Sequence, residues 1–197
     1  MINQNFVIVG FILNLIGGAS YFIDTVKGKV QPNRITFFLW GLAPLIAFAA
    51  EIHQKVGLQS LMTLGVGLSP VFIFAASFYN KKSVWKLKRF DFICGGFSII
   101  GLVLWYITKV GNFAILFSIF SDAMASIPTL VKSYTHPESE NYIEYFFAWC
   151  SAALTIATMK AWNFATSAFP IYILCINAIC FTLIKFRLGK RHFKAKL

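Results

Sequence analysis

Apolar residues fill this chain in long stretches, and short polar clusters punctuate them. Seven runs stand out, at about 6–23, 35–50, 57–78, 92–108, 113–131, 142–159 and 164–184. Most reach or approach the roughly 20 helical residues that cross a hydrocarbon core of about 30 Å. Outer-membrane barrels are built instead from tilted strands of roughly 10 alternating residues. The pattern predicts an all-α polytopic membrane protein with seven transmembrane helices. The second run is short, but Arg34 and Glu51 bound it and set its ends at the interfaces. The first run is expected to be retained rather than cleaved as a signal peptide. Residues 1–5 carry no Lys or Arg, and the run is long for the apolar part of a signal.

Composition agrees with the pattern. The 197 residues are 58% hydrophobic with 22 Phe, and only 13% are charged, against roughly 25% in soluble domains. No polar linker divides the chain, so 1–197 reads as a single membrane domain. The net charge of +11 matters less than its placement. With seven spans, one side receives Lys27, Lys29, Arg34, Lys81, Lys82, Lys86, Lys88, Arg89, Lys132 and the six basic residues of the tail 185–197. The other side receives only Lys55, Lys109 and Lys160. By the positive-inside rule this predicts a plasma (inner) membrane protein with its N-terminus outside and its C-terminus in the cytoplasm. The basic tail follows a span directly and reads as an anchor on anionic lipid headgroups, not as a nucleic-acid site.

The four cysteines lie inside runs without a Cys-x-x-Cys pair and read as free, buried thiols. His53, His136 and His192 stand apart, so no metal site is expected. No phosphate loop, zinc-protease, nucleophile-elbow or dinucleotide motif occurs. Neither an enzyme nor a cofactor is expected, and nothing in the sequence fixes an oligomeric state.

The chain also repeats itself. Val26-Lys27, Pro32 and Phe37-Phe38-Leu39-Trp40 return as Val131-Lys132, Pro137 and Phe146-Phe147-Ala148-Trp149. Aligning Lys27 with Lys132 sets Gly17 on Asp122 and Ile23 on Pro128. Four extra residues after the loop prolines then bring Trp40 onto Trp149. Setting Phe78 on Phe186 puts Ser69 opposite Asn177. The result is a 3+1+3 layout: a three-helix repeat at 6–78, a linker helix at 92–108 and a second repeat at 113–184. An odd number of spans per repeat plus one linker makes the two repeats parallel, about an axis along the membrane normal.

Three-span repeats, a single intervening span, Pro128 in span five, and the Lys27/Pro32 and Lys132/Pro137 loops resemble the SWEET and PQ-loop superfamily. The Pro-Gln dipeptide of the PQ-loop group stands reversed here as Gln31-Pro32, and span six has no proline. The resemblance implies a secondary transporter or facilitator of a small polar solute, sugar or amino-acid-like, coupled to protons through an acidic residue of span five, here Asp122. It equally admits a non-transporting receptor or assembly protein on the same fold. It also implies a solute-binding Asn in span seven, here Asn177, with a partner in span three, here Ser69.

Asp122 is the most telling side chain. An ionised carboxylate mid-span costs about 2.5–3.5 kcal/mol on insertion scales. It must be protonated, paired or turned to a polar cavity, either as a proton carrier or as a packed neighbour of Gly17 and Gly18. Asn177 and Asn14 serve either a solute or an interhelical hydrogen bond. Trp40 and Trp149 either line a cavity or belong to an aromatic belt; Tyr21, Tyr142 and Tyr145 read as interfacial. Pro44 in span two and Pro128 in span five are candidate hinges; Pro70 and Pro170 interrupt spans three and seven. Glu138, Glu140 and Glu144 read as solvated charge on the second cytoplasmic loop.

Overall fold

The structure, a computed structural model, describes residues 2–108 and 111–189. Lys109 and the basic tail from Lys190 onward lie outside the described residues. Those described fold into α1 (Phe6–Val26), α2 (Arg34–His53), α3 (Ser60–Ala76), α4 (Arg89–Thr108), α5 (Gly111–Thr135), α6 (Tyr142–Ala157) and α7 (Phe164–Phe186), with no strand among them. Each helix grows from one of the apolar runs. Asparagine starts three of them. The side chain of Asn33 accepts from the Ile35 and Thr36 amides, Asn141 from Ile143, and Asn163 from Thr166. Each satisfies donors that the first helical turn leaves free.

α1, α2, α5, α7 and the stretch Gly57–Ala76 are long and apolar enough to cross a membrane; α6 is apolar but has 16 residues. The distribution of polarity supports a membrane-embedded protein. Ile8, Val9, Ile12 and Ile16 of α1 and Phe92, Ile93, Phe97 and Ile100 of α4 face outward, while Asn14, Thr36, Ser118, Ser121, Asp122 and Thr129 are buried. Water would reverse that arrangement. In lipid, backbone and polar side chains must find partners inside the bundle. Thr36 accordingly donates to the Ala125 carbonyl at 2.8 Å, Ser98 to that of Ser121 at 2.7 Å, and the Trp40 indole to that of Asp122 at 3.3 Å. These bonds tie α2 and α4 to α5 just before Pro128.

α1 packs on α3 and α6, α2 on α3 and α5, and α7 on α5 and α6; α4 lies against α5 and reaches α2. The α1–α2, α3–α4 and α5–α6 connections meet at one end of the bundle. There the Gln31 amide donates to the Ser139 carbonyl at 3.0 Å, the Gln31 side chain to the Lys82 carbonyl at 3.3 Å, and Asn80 to the Val26 carbonyl at 2.9 Å. The opposite end brings Gln54, Asn112 and Asn163 together around one crevice. The described basic loop residues thus collect at one end, with Lys55 and Lys160 at the other.

A single shift of 108 residues carries cap Asn33 onto cap Asn141. It carries every buried residue of α1 onto a buried residue of α5, and every buried residue of α6 back onto one of α2. In that register Trp40 falls opposite Ala148 and Asn14 opposite Asp122, whereas the alignment on Phe-Phe-x-Trp sets Trp40 on Trp149 and Gly17 on Asp122. A helix presents a new face with each residue, so the one-residue step from Ala148 to Trp149 separates a buried position from a half-buried one.

Small residues set the helix crossings. A Cβ on Gly17 would lie 2.9 Å from Glu144 Oε2 and 3.0 Å from Phe147 Cβ, and one on Gly18 would lie 2.6 Å from Ser69 Cβ. Gly18→Ala is therefore expected to destabilise the protein by about 1–3 kcal/mol, the cost of overpacking a filled interior. Thermal unfolding in detergent checks it; an unchanged midpoint would mean that α1 and α3 separate freely.

Candidate functional site

A small cavity of about 30 Å³ lies where the helices converge, room enough for ordered water. α1 contributes Asn14 to its wall, α2 Phe37 and Trp40, and α3 Val66 and Pro70. α5 contributes Asp122, α6 Glu144, Tyr145 and Ala148, and α7 Ile173, Ile176, Asn177 and Cys180. The hydrogen bonds around it are incomplete. Tyr172 donates to Asp122 Oδ2 at 2.6 Å, but Asp122 Oδ1 has no partner. Glu144 Oε2 and Asn14 Nδ2 are likewise buried and unpartnered. The Asn14, Asp122 and Glu144 residues are 1%, 2% and 8% exposed. A buried polar atom without a partner costs about 1–3 kcal/mol. Three such atoms, two of them carboxyl oxygens, belong to residues that line one cavity and mark a region where a polar guest would be stabilised.

Four of the six residues expected to bind solute line the cavity: Asp122, Asn14, Asn177 and Trp40. Asn177 also donates to the Ile173 carbonyl of its own helix at 2.9 Å. Ser69 is not part of the wall. Its hydroxyl donates to Asn14 Oδ1 at 3.3 Å from behind, beside Gly18, and Pro70 takes the lining position. Trp149 is not part of it either: it is half-buried and packs at 6.1 Å from Phe146. The candidate hinges Pro44 and Pro128 are buried within α2 and α5.

Glu144 was expected as loop charge, and the structure moves it inside. It sits in the first turn of α6, on the face that α6 turns to α1. Glu140 corrects in the same way. Its side chain is fully buried against Lys132, with Nζ 2.8 Å from Oε1. Tyr21 and Tyr145 both donate to Glu140 Oε2, at 2.8 and 2.9 Å. Lys132, expected as loop charge, also donates to the Gln31 carbonyl and lies 4.7 Å above the Trp85 ring. Tyr21 and Tyr145, expected at the interface, are core residues, while Tyr142 is exposed with Lys185 over its ring at 4.1 Å.

These groups close the cavity toward the basic end. Tyr21, Phe37, Trp40 and Tyr145 form a continuous aromatic layer, with successive ring centroids 5.0, 5.5 and 6.3 Å apart. The Lys132–Glu140 pair lies beyond it. Toward the other end, Ala47, Met62, Ile115, Ala152 and Phe169 pack into an apolar plug. No family model matches this chain, and no curated protein or solved structure matches it.

Proposed function

We propose that this protein is a secondary transporter or facilitator of a small polar solute, with this cavity as its site and Asp122 as the group through which protons couple. The observation that carries the reading is the cavity itself: a largely apolar pocket between α1–α3 and α5–α7 whose lining residues Asn14, Asp122 and Glu144 hold buried polar atoms without partners. Sites of alternating-access transporters lie at such repeat interfaces near the membrane midplane. The 108-residue correspondence supports a seven-span 3+1+3 arrangement of two parallel halves, with α4 as the linker. That is the arrangement of the SWEET and PQ-loop superfamily, which the sequence resembles. The concentration of Lys and Arg at one end supports a cytoplasmic C-terminus in a plasma (inner) membrane, so the aromatic layer and the Lys132–Glu140 pair would close the cytoplasmic side. Pro44 and Pro128 would serve as hinges.

The test is uptake into proteoliposomes with and without a proton gradient. Asp122→Asn, which preserves shape but carries no titrating proton, is expected to reduce gradient-driven uptake about tenfold or more, the factor that one lost interaction of 1.4 kcal/mol represents. Flux indifferent both to the gradient and to this substitution would rule out coupling through Asp122. A second reading is a receptor that binds without flux. The observation favouring it is that a buried ion pair with several partners packs on one side of the cavity and an apolar cluster on the other.

A further inference from the structure

The chemistry of the cavity wall also narrows what it can hold, on the reading that the cavity is the solute site. Its unpartnered groups are two carboxyl oxygens, Asp122 Oδ1 and Glu144 Oε2, and one amide nitrogen, Asn14 Nδ2. No Lys, Arg or His lines it among the described residues. The buried cation closest to it in the network, Lys132, is committed to Glu140 and to the Gln31 carbonyl on the far side of Tyr145. Asn177 also lines it, with its amide donating to the Ile173 carbonyl, and Phe37, Trp40 and Tyr145 bring aromatic rings.

We propose that the cavity recognises a small organic ammonium ion that carries no carboxylate. A cation between two buried carboxyls gains charge-assisted hydrogen bonds that neither oxygen now makes. Aromatic rings in the same wall favour cations through their negative faces, most strongly once water is excluded. A zwitterionic amino acid would bring a carboxylate beside Asp122 and Glu144 with no base to receive it, and burying an unpaired charge costs several kcal/mol. A sugar would offer hydroxyl donors to the carboxyls, but the wall has a single free amide to bond its many acceptors. The preference is built into the second half of the chain. The shift of 108 residues sets Asn14 against Asp122 and Thr36 against Glu144, so the neutral member of each pair is in the first half and the acid in the second.

The experiment is calorimetric titration of the purified full chain in lipid nanodiscs with methylammonium, tetramethylammonium, glycine and glucose, alongside flux of the same solutes in proteoliposomes. Saturable methylammonium binding is expected, at least about tenfold tighter than glycine or glucose. Glu144→Gln is expected to weaken it about tenfold or more, with Glu144→Asp recovering most of the loss. The solute series on the unmodified protein decides the matter even if a variant fails to fold. Glycine or glucose bound as tightly as methylammonium, no saturable ammonium binding, or a folded Glu144→Gln protein with unchanged affinity would each overturn the inference. Ammonium binding without flux would support it while overturning the transporter reading. Glucose or glycine flux without ammonium binding would overturn it and leave that reading standing.

Discussion

Lys132→Met is expected to lower the stability of the folded protein by about 3–5 kcal/mol, the cost of removing one partner from a buried ion pair. Methionine fills most of the lysine's space, so the loss is electrostatic rather than a cavity effect. It strands Glu140, whose side chain is fully buried, with only the Tyr21 and Tyr145 hydroxyls to stabilise its charge, and it deprives the Gln31 carbonyl of its donor. Adding Glu140→Gln should recover much of the loss. A neutral amide can still accept from a tyrosine hydroxyl, and removing both charges of a buried pair is often close to neutral. Unfolding midpoints of the two single variants and the double variant in one detergent give the coupling energy. A single-variant change within about 0.5 kcal/mol, the range of ordinary surface substitutions, would show that the pair is solvated.

The second large effect is expected at Asn33. Its carboxamide oxygen caps α2 by accepting from Ile35 and Thr36, while its nitrogen donates to Asp91 Oδ1 at 2.6 Å. Losing a cap costs about 0.5–2 kcal/mol, and losing a hydrogen bond to a charged group about 1.5–3 kcal/mol. Asn33→Ala is therefore expected to cost about 2–4 kcal/mol, since Asp91 keeps the Lys88 amide at 2.5 Å. Asn33→Asp separates the two roles. It preserves the cap but sets a carboxylate against Asp91, so it should destabilise nearly as much, and added Asp91→Asn should relieve it. Hydrogen exchange at the α2 and α4 N-termini would locate the loss. Destabilisation by Asn33→Ala with no change in exchange at α4 would show that the Asp91 bond is not holding α4 to α2.

Most of the helices were legible in the sequence, because an apolar run long enough to cross a bilayer has few other structures open to it. The helix at Tyr142–Ala157 begins where the run at 142–159 begins, behind an asparagine whose cap is a local interaction. The site was legible in part. Asp122 announced itself because a mid-span acid has few places to go. Asn14, Asn177 and Trp40 were recognisable as polar or amphipathic groups within apolar runs. Glu144 and Glu140 were not, because each follows a stretch of polar loop and is locally indistinguishable from solvated charge. Lys132 was hidden in the same way: its burial depends on Glu140, eight residues on, and on Tyr21 of a different helix. Only the meeting of α1, α5 and α6 brings those groups together.

The repeat makes the division plain. The sequence by itself determined the apolar helices, their asparagine caps and the concentration of basic residues in alternate connections, since all of these follow from properties of neighbouring residues. It also suggested a duplication in which Phe-Phe-x-Trp sets Trp40 on Trp149, one residue from the register that superposes the buried positions of α2 and α6. Side-chain identity does not record which way a helix is turned. A lipid-facing Phe and a buried Phe are equally apolar, and each residue along a helix rotates the exposed face by about 100°. The tertiary structure decided that rotation by packing Gly17 against Glu144 and Gly18 against Ser69. Helix packing likewise placed Trp40 in the cavity wall, left Trp149 outside it, and brought Asn14, Asp122 and Glu144 around one cavity.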